Sequence, residues 1–318
     1  MRSRQRSSHR GAWATAVAVL AIAAAGCGSD RADTSPAGTS STVTTPVIVV
    51  TYSVLGAVLR DAVGDLAEVE VLIPNGTDPH EWEPSAKDIE TLNNADLIVR
   101  NGLDLEGGLQ DALDGADDAG VPTFTASDHI TVRLVGEGEG LPTGDPDQAV
   151  GAEDPHLWMD PLAMRDVLAA LGPVLSTVGI DASAGIERVA GDLVALDEEV
   201  RSILAVVAGA DRQLVTGHES LGYFAARYDF RLIGAIIPSL TSQAEVSAGD
   251  LAELADRIEA SGTTAIFTEL GTPTAVAEAI GAETGVKVVD LASHNLPDDG
   301  SYATFLTGNA TKIAAALT

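Results

Sequence analysis

From residue 46 onward the apolar positions alternate between two periods. Short runs rich in β-branched and aliphatic residues predict buried strands at PVIVVT (46–51), EVEVLIP (68–74), DLIVRNG (96–102) and VPTFTAS (121–127). A second series follows at RQLVTG (212–217), RLIGAII (231–237), TAIFTE (264–269) and VKVVDL (286–291). Helical spacing fills the intervals, as in VLGAVLRDAV (54–63), SAKDIETLNNA (85–95), SLGYFAARY (220–228), SAGDLAELADRIEASG (247–262) and PTAVAEAIGAETG (273–285). Ser85 has the side chain and position of an N-cap. Further helices are predicted over 105–120, 161–178 and about 301–317.

Strands alternating with helices imply βαβ units and parallel sheets. Between the two series, residues 181–207 carry apolar side chains at 186, 189, 193, 196, 200, 203 and 207, steps of three and four that make one sustained helical stripe. Such a helix is about 40 Å long, roughly the width of a domain. The predicted fold class is therefore α/β: two lobes with mainly parallel sheets, residues 46–180 and 210–318, joined by one long rigid helix over 181–209. In open parallel sheets ligands lie beyond the carboxyl ends of the strands, which here means the cleft between the lobes.

The first residues have a different pattern. Residues 1–11 contain four arginines and no acid, and residues 12–25 form a short apolar run of small residues. This is the pattern of a secretory signal, and the run is too short for a membrane span. Ala24-Ala25-Gly26-Cys27 resembles the lipobox of bacterial lipoproteins, which implies a signal over 1–26, a lipid anchor on Cys27 and an extracytoplasmic location on the outer face of the cell membrane. Residues 27–45 are rich in Ser, Thr, Gly and Ala and read as a flexible tether reaching about 20–25 Å.

The full chain of 318 residues has a formal net charge of −29 and a single cysteine. Such an acidic surface repels phosphate backbones, which excludes nucleic acid as a partner. One cysteine makes neither an internal disulfide nor a Cys-rich zinc knuckle, so a metal site must use His and carboxylates. The loop over 136–153 is acidic, glycine-rich and free of histidine.

Three histidines follow predicted strands or loops at equivalent places: His80 in NGTDPHEWEP, His156 in EDPHLWMDP and His218 in VTGHESLGYF. Asp290 closes the strand VKVVD. Their separations match neither a zinc finger nor an HExxH hydrolase. They fit one ligand per strand end, brought together by the fold, and three imidazoles with one carboxylate suit tetrahedral Zn²⁺ better than hard cations. His129 reads as a surface residue; His294, four residues past Asp290, is a weaker candidate to line the cleft, and the sequence leaves open whether it or Glu269 joins the ligands. Glu219 and Glu269 read as solvated or capping residues, with Glu219 the candidate to orient an imidazole. Trp82 and Trp158 either shield the site or pack their loops onto the lobe.

The run NGTDPHEWEPSAKDIETLNNADLIVRNGLDLE, with DPHLWMDP, VTGHESLGYFAARY, AIFTEL and the late VVD before SYATFLTGNATKIAAAL, resembles the zinc- and manganese-type (cluster A-I) substrate-binding lipoproteins of bacterial ABC importers. The resemblance spans nearly all of residues 46–318. It implies a monomeric protein, not an enzyme, that captures a divalent cation and delivers it to a membrane permease. It also implies metal ligation by His80, His156, His218 and Asp290. Manganese-type members usually carry Glu at the third position, so His218 favours Zn²⁺ over Mn²⁺ or Fe²⁺. The His-rich loop of many zinc members has no counterpart here. Some relatives are described as adhesins, which leaves a surface adhesin with a metal site as the alternative class.

Overall fold

The computed structural model describes residues 45–139 and 149–318. The expected signal, Cys27, nearly all of the tether and the middle of the acidic loop lie outside the described residues. The rest builds two four-stranded parallel sheets of the same design. In the first, β1 (Val47–Tyr52), β2 (Glu68–Ile73), β3 (Leu97–Arg100) and β4 (Thr123–Thr125) are ordered β2-β1-β3-β4. In the second, β5 (Gln213–Thr216), β6 (Arg231–Ala235), β7 (Ala265–Thr268) and β8 (Lys287–Asp290) are ordered β6-β5-β7-β8. Every pairing is parallel, as the strand–helix alternation requires.

The helices are α1 (Ser53–Val63), α2 (Ala86–Asn93), α3 (Gln110–Asp118), α4 (Pro161–Thr177), α5 (Ser183–Leu204), α6 (Gly222–Tyr228), α7 (Ala248–Ser261), α8 (Thr274–Thr284) and α9 (Tyr302–Leu317). Their starts are chemically marked. Ser85 and Asp88 form a reciprocal capping box on α2, and Ser247 and Asp250 form the same device on α7. Asp160 caps α4 ahead of Pro161, whose missing N–H falls where no partner was available.

The connecting helix α5 has 22 residues, about 33 Å, and is shorter than its apolar stripe. Asp181 accepts from both the amide and the hydroxyl of Ser183 and sets its start. At the other end the Arg212 guanidinium takes up the Leu204 and Val207 carbonyls, so the chain turns although Val207 still packs into the core. The buried stripe is Val189, Leu193, Leu196, Val200 and Leu204. Asp197 is also buried there, matched by bidentate bonds from Arg227 and one from Arg201.

One continuous core runs from the first sheet through α4, α5 and α9 (Phe305, Leu306, Ile313) into the inner part of the second lobe. A smaller separate core, including Val215, Leu254, Ile258 and Ile266, fills the outer part of the second lobe. α5 and α9 thus tie the two sheets into one body. Among the described residues no helix is long and apolar enough to cross a membrane.

Candidate metal centre

Three of the predicted residues meet. His80 lies in the loop after β2, His156 in the segment before α4, and His218 two residues beyond the last residue of β5. All three are buried, and their Nε2 atoms point at one another: 3.4 Å from His80 to His156 and 3.1 Å from His156 to His218. Four imidazole nitrogens at about 2.0–2.1 Å from one tetrahedral ion would stand about 3.3–3.4 Å apart. The His80–His156 and His156–His218 pairs are therefore already near that spacing.

Asp290 does not join them. It pairs in register with Thr268 inside the second sheet and its side chain is exposed, so the chain has not yet reached the cleft at that point. The fourth member is His294, 2 % exposed, in the loop beyond β8. One nitrogen from each of the four histidines falls within 4.8 Å of every other. The His294 Nε2 is buried with no hydrogen-bond partner, while its Nδ1 bonds the Ser293 hydroxyl at 2.8 Å. A buried ring nitrogen left without a partner costs about 1–3 kcal/mol, a cost that a ligand would remove.

Two carboxylates back the rings. Asp154 Oδ1 lies 2.9 Å from His156 Nδ1, and Glu269 Oε1 lies 2.8 Å from His218 Nδ1. Each accepts the Nδ1 proton and leaves Nε2 for the centre of the cluster. The two acids differ in their own support. Asp154 is held by Arg133 at 3.1 Å, whereas Glu269 accepts from the Ser220 hydroxyl and the His218 amide. Glu219 and Glu269 are 7 % and 6 % exposed, so neither is solvated, and Glu269 both accepts the His218 amide and orients the His218 imidazole.

Electrostatics separates the four rings. Burial, reinforced by the neighbouring imidazoles, holds His80 and His294 well below the usual histidine range. Burial also lowers His156, partly offset by Asp154. His218 goes the other way. Burial opposes its charge, but Glu269 outweighs burial and raises it. Glu269 is lowered in return, because His218 and its hydrogen bonds overcome the cost of its own burial.

The repeated Asp-Pro-His has a structural cause. Asp78 Oδ1 accepts from the His80 amide at 3.0 Å and Asp154 Oδ1 from the His156 amide at 2.9 Å. Each Asp closes a turn that aims its histidine inward. Trp158 is fully buried, with its ring centroid 5.3 Å from that of His156 and 5.4 Å from that of His294, so it walls the site. Trp82 packs against the core of the first lobe instead. His129 is exposed and stacks on Phe124. A cleft of about 260 Å³ between the lobes opens onto His80, lined also by Asp104, Glu153, Leu240 and Gln243.

The family model described as the zinc-uptake complex component A, periplasmic (ZnuA), matches residues 48–316. The chain belongs to the ZnuA family. Members of the ZnuA family are substrate-binding proteins of ABC importers and not enzymes. The manganese-binding lipoprotein MntA of Halalkalibacterium halodurans is 27 % identical over 86 % of this chain and 85 % of its own. The zinc-binding lipoprotein AdcA of Streptococcus pneumoniae is 32 % identical over 76 % of this chain, which spans only 48 % of AdcA's length. The solved structure of the periplasmic zinc-binding protein TroA from Treponema pallidum superposes with a TM-score of 0.71 at 26 % identity, over 86 % of this chain and all of that one.

Proposed function

We propose that this ZnuA-family chain captures Zn²⁺ outside the cytoplasm and delivers it to an ABC permease, with His80, His156, His218 and His294 as the ligands. The observation that carries this reading is the convergence of four buried histidines on one point, with an unpartnered Nε2 on the fourth. Four neutral imidazoles form a nitrogen set that suits Zn²⁺, whereas Mn²⁺ favours carboxylate, carbonyl and water oxygens. The Asp154 and Glu269 carboxylates, one hydrogen bond away, balance the cation's charge without entering its coordination sphere. In this reading the cation is cargo, the protein works as a monomer, and Cys27 carries the lipid anchor that keeps it beside the permease.

The experiment is chelator competition on the metal-free protein. Zn²⁺ should bind one per chain and displace Mn²⁺ at equal concentration. Preference for Mn²⁺ or Fe²⁺ would overturn the choice of metal and leave the family membership intact.

A further inference from the structure

The loop carrying His294 emerges from the second sheet, yet it is tied to the first lobe. At its start it still belongs to the second lobe: the Leu291 amide donates to the Thr268 carbonyl, and Ala292 exchanges two hydrogen bonds with the Asn309 side chain of α9. From Ser293 the ties change sides. The Trp158 indole donates to the Ser293 carbonyl at 2.8 Å, and the Ser53 hydroxyl donates to the His294 carbonyl at 3.3 Å. Asn75 then grips Leu296 from both directions. Its Oδ1 accepts from the Leu296 amide at 2.7 Å and its Nδ2 donates to the Leu296 carbonyl at 3.0 Å. Among the described residues, the hydrogen bonds that leave Ser293–Leu296 all end on the first lobe.

Resting on the reading that the four histidines hold a metal, we propose that the site is divided three to one. His80, His156 and His294 form a tripod on the first lobe, His218 is the single ligand from the second, and Asn75 is the residue that positions the fourth histidine. Asn75 sits in the same β2–α2 loop as His80, so one loop fixes two of the three tripod members. The second lobe reaches the tripod through His218 and through the Gln243 side chain, which donates to the His80 carbonyl. Withdrawal of the β5–α6 loop that carries His218 then removes one nitrogen and leaves the cation on three, with an open position for an incoming donor from the permease. Zinc held by three protein ligands and one exchangeable ligand is chemically ordinary.

The test uses the purified protein with Zn²⁺ for affinity and Co²⁺ as a spectroscopic probe. His218→Ala should keep one Co²⁺ per chain, and added azide should shift its visible bands by filling the open position. Wild type should ignore azide. Asn75 is exposed, so Asn75→Ala leaves the core untouched. It should weaken zinc about tenfold, change the Co²⁺ bands with all four histidines present, and impose the same loss in the His218→Ala background. Asn75→Gln, which keeps the amide, should recover part of the affinity. Wild-type affinity and an unchanged Co²⁺ spectrum in Asn75→Ala would overturn the proposal, as would complete loss of Co²⁺ from His218→Ala. If wild type takes up no zinc, or His80→Ala and His156→Ala bind it undiminished, the metal-binding reading itself fails.

Discussion

At the scale of single residues, the proposed site separates the four imidazoles from the carboxylates that aim them. Glu269→Gln keeps the shape at His218 and removes the charge that raises it. A neutral amide also fails to fix the imidazole's proton on Nδ1, so zinc affinity should fall about 10- to 100-fold, read by chelator competition. Asp154→Asn should act similarly through His156, with an added penalty because Arg133 loses a buried partner. Three of the four clustered histidines were legible in the sequence: His80 and His218 lie in loops past their strands, and His80 and His156 each follow a turn-closing Asp-Pro. Asp290 stays outside the cluster because it ends its strand rather than lying beyond it. The criterion that located His80 and His218, a position past the last paired residue, selects His294 when applied to the final strand. Asp154 and Glu269 were harder to see, since hydrogen bonding between a carboxylate and a distant ring leaves no periodic trace in the chain.

At the scale of elements, close packing around α5 sets the geometry of the lobes. A Cβ on Gly185, in the first turn of α5, would run into the Ala62 carbonyl at the end of α1. Gly185→Ala should therefore destabilise the protein by about 1–3 kcal/mol, measured by denaturant unfolding, because backbone stands in the way and has no rotamer to change. Gly222, at the start of α6, faces the side chains of Asp154 and Arg133 across the lobes, where an added Cβ would crowd their ion pair rather than backbone. The strands and helices themselves were legible within a few residues, since buried parallel strands and one-sided helices leave strong apolar patterns. Their ends were less so. The stop of α5 at Leu204 depends on Arg212, eight residues later, taking its carbonyl, which no local pattern displays.

At the scale of the whole molecule, the four rings make metal binding and stability depend on pH in a defined direction. Burial opposes a charge on His218 but Glu269 raises it above the ordinary histidine range, so as pH falls zinc must increasingly displace a proton there. Zinc uptake should release protons in increasing number as pH falls, seen as a buffer-dependent heat in calorimetry, and affinity should fall with pH. Burial lowers His80, His156 and His294 below the ordinary histidine pKa of about 6.5, so each favours the folded state above that value. Their contribution is lost as pH falls from 6.5 toward their folded values, whereas the His218 contribution is lost as pH rises through its own. Three outweigh one. The metal-free protein should melt at progressively lower temperature between pH 7 and 5, and zinc should restore it at the upper end of that range.

The central claim is that four imidazoles and no carboxylate hold the zinc, and X-ray absorption at the zinc edge tests it most directly. The zinc-loaded protein should show a single shell of four nitrogens at about 2.0–2.1 Å, with outer scattering from four imidazole rings. A shell of three imidazoles and one oxygen that reverts when Asp290 is replaced by Ala would contradict it.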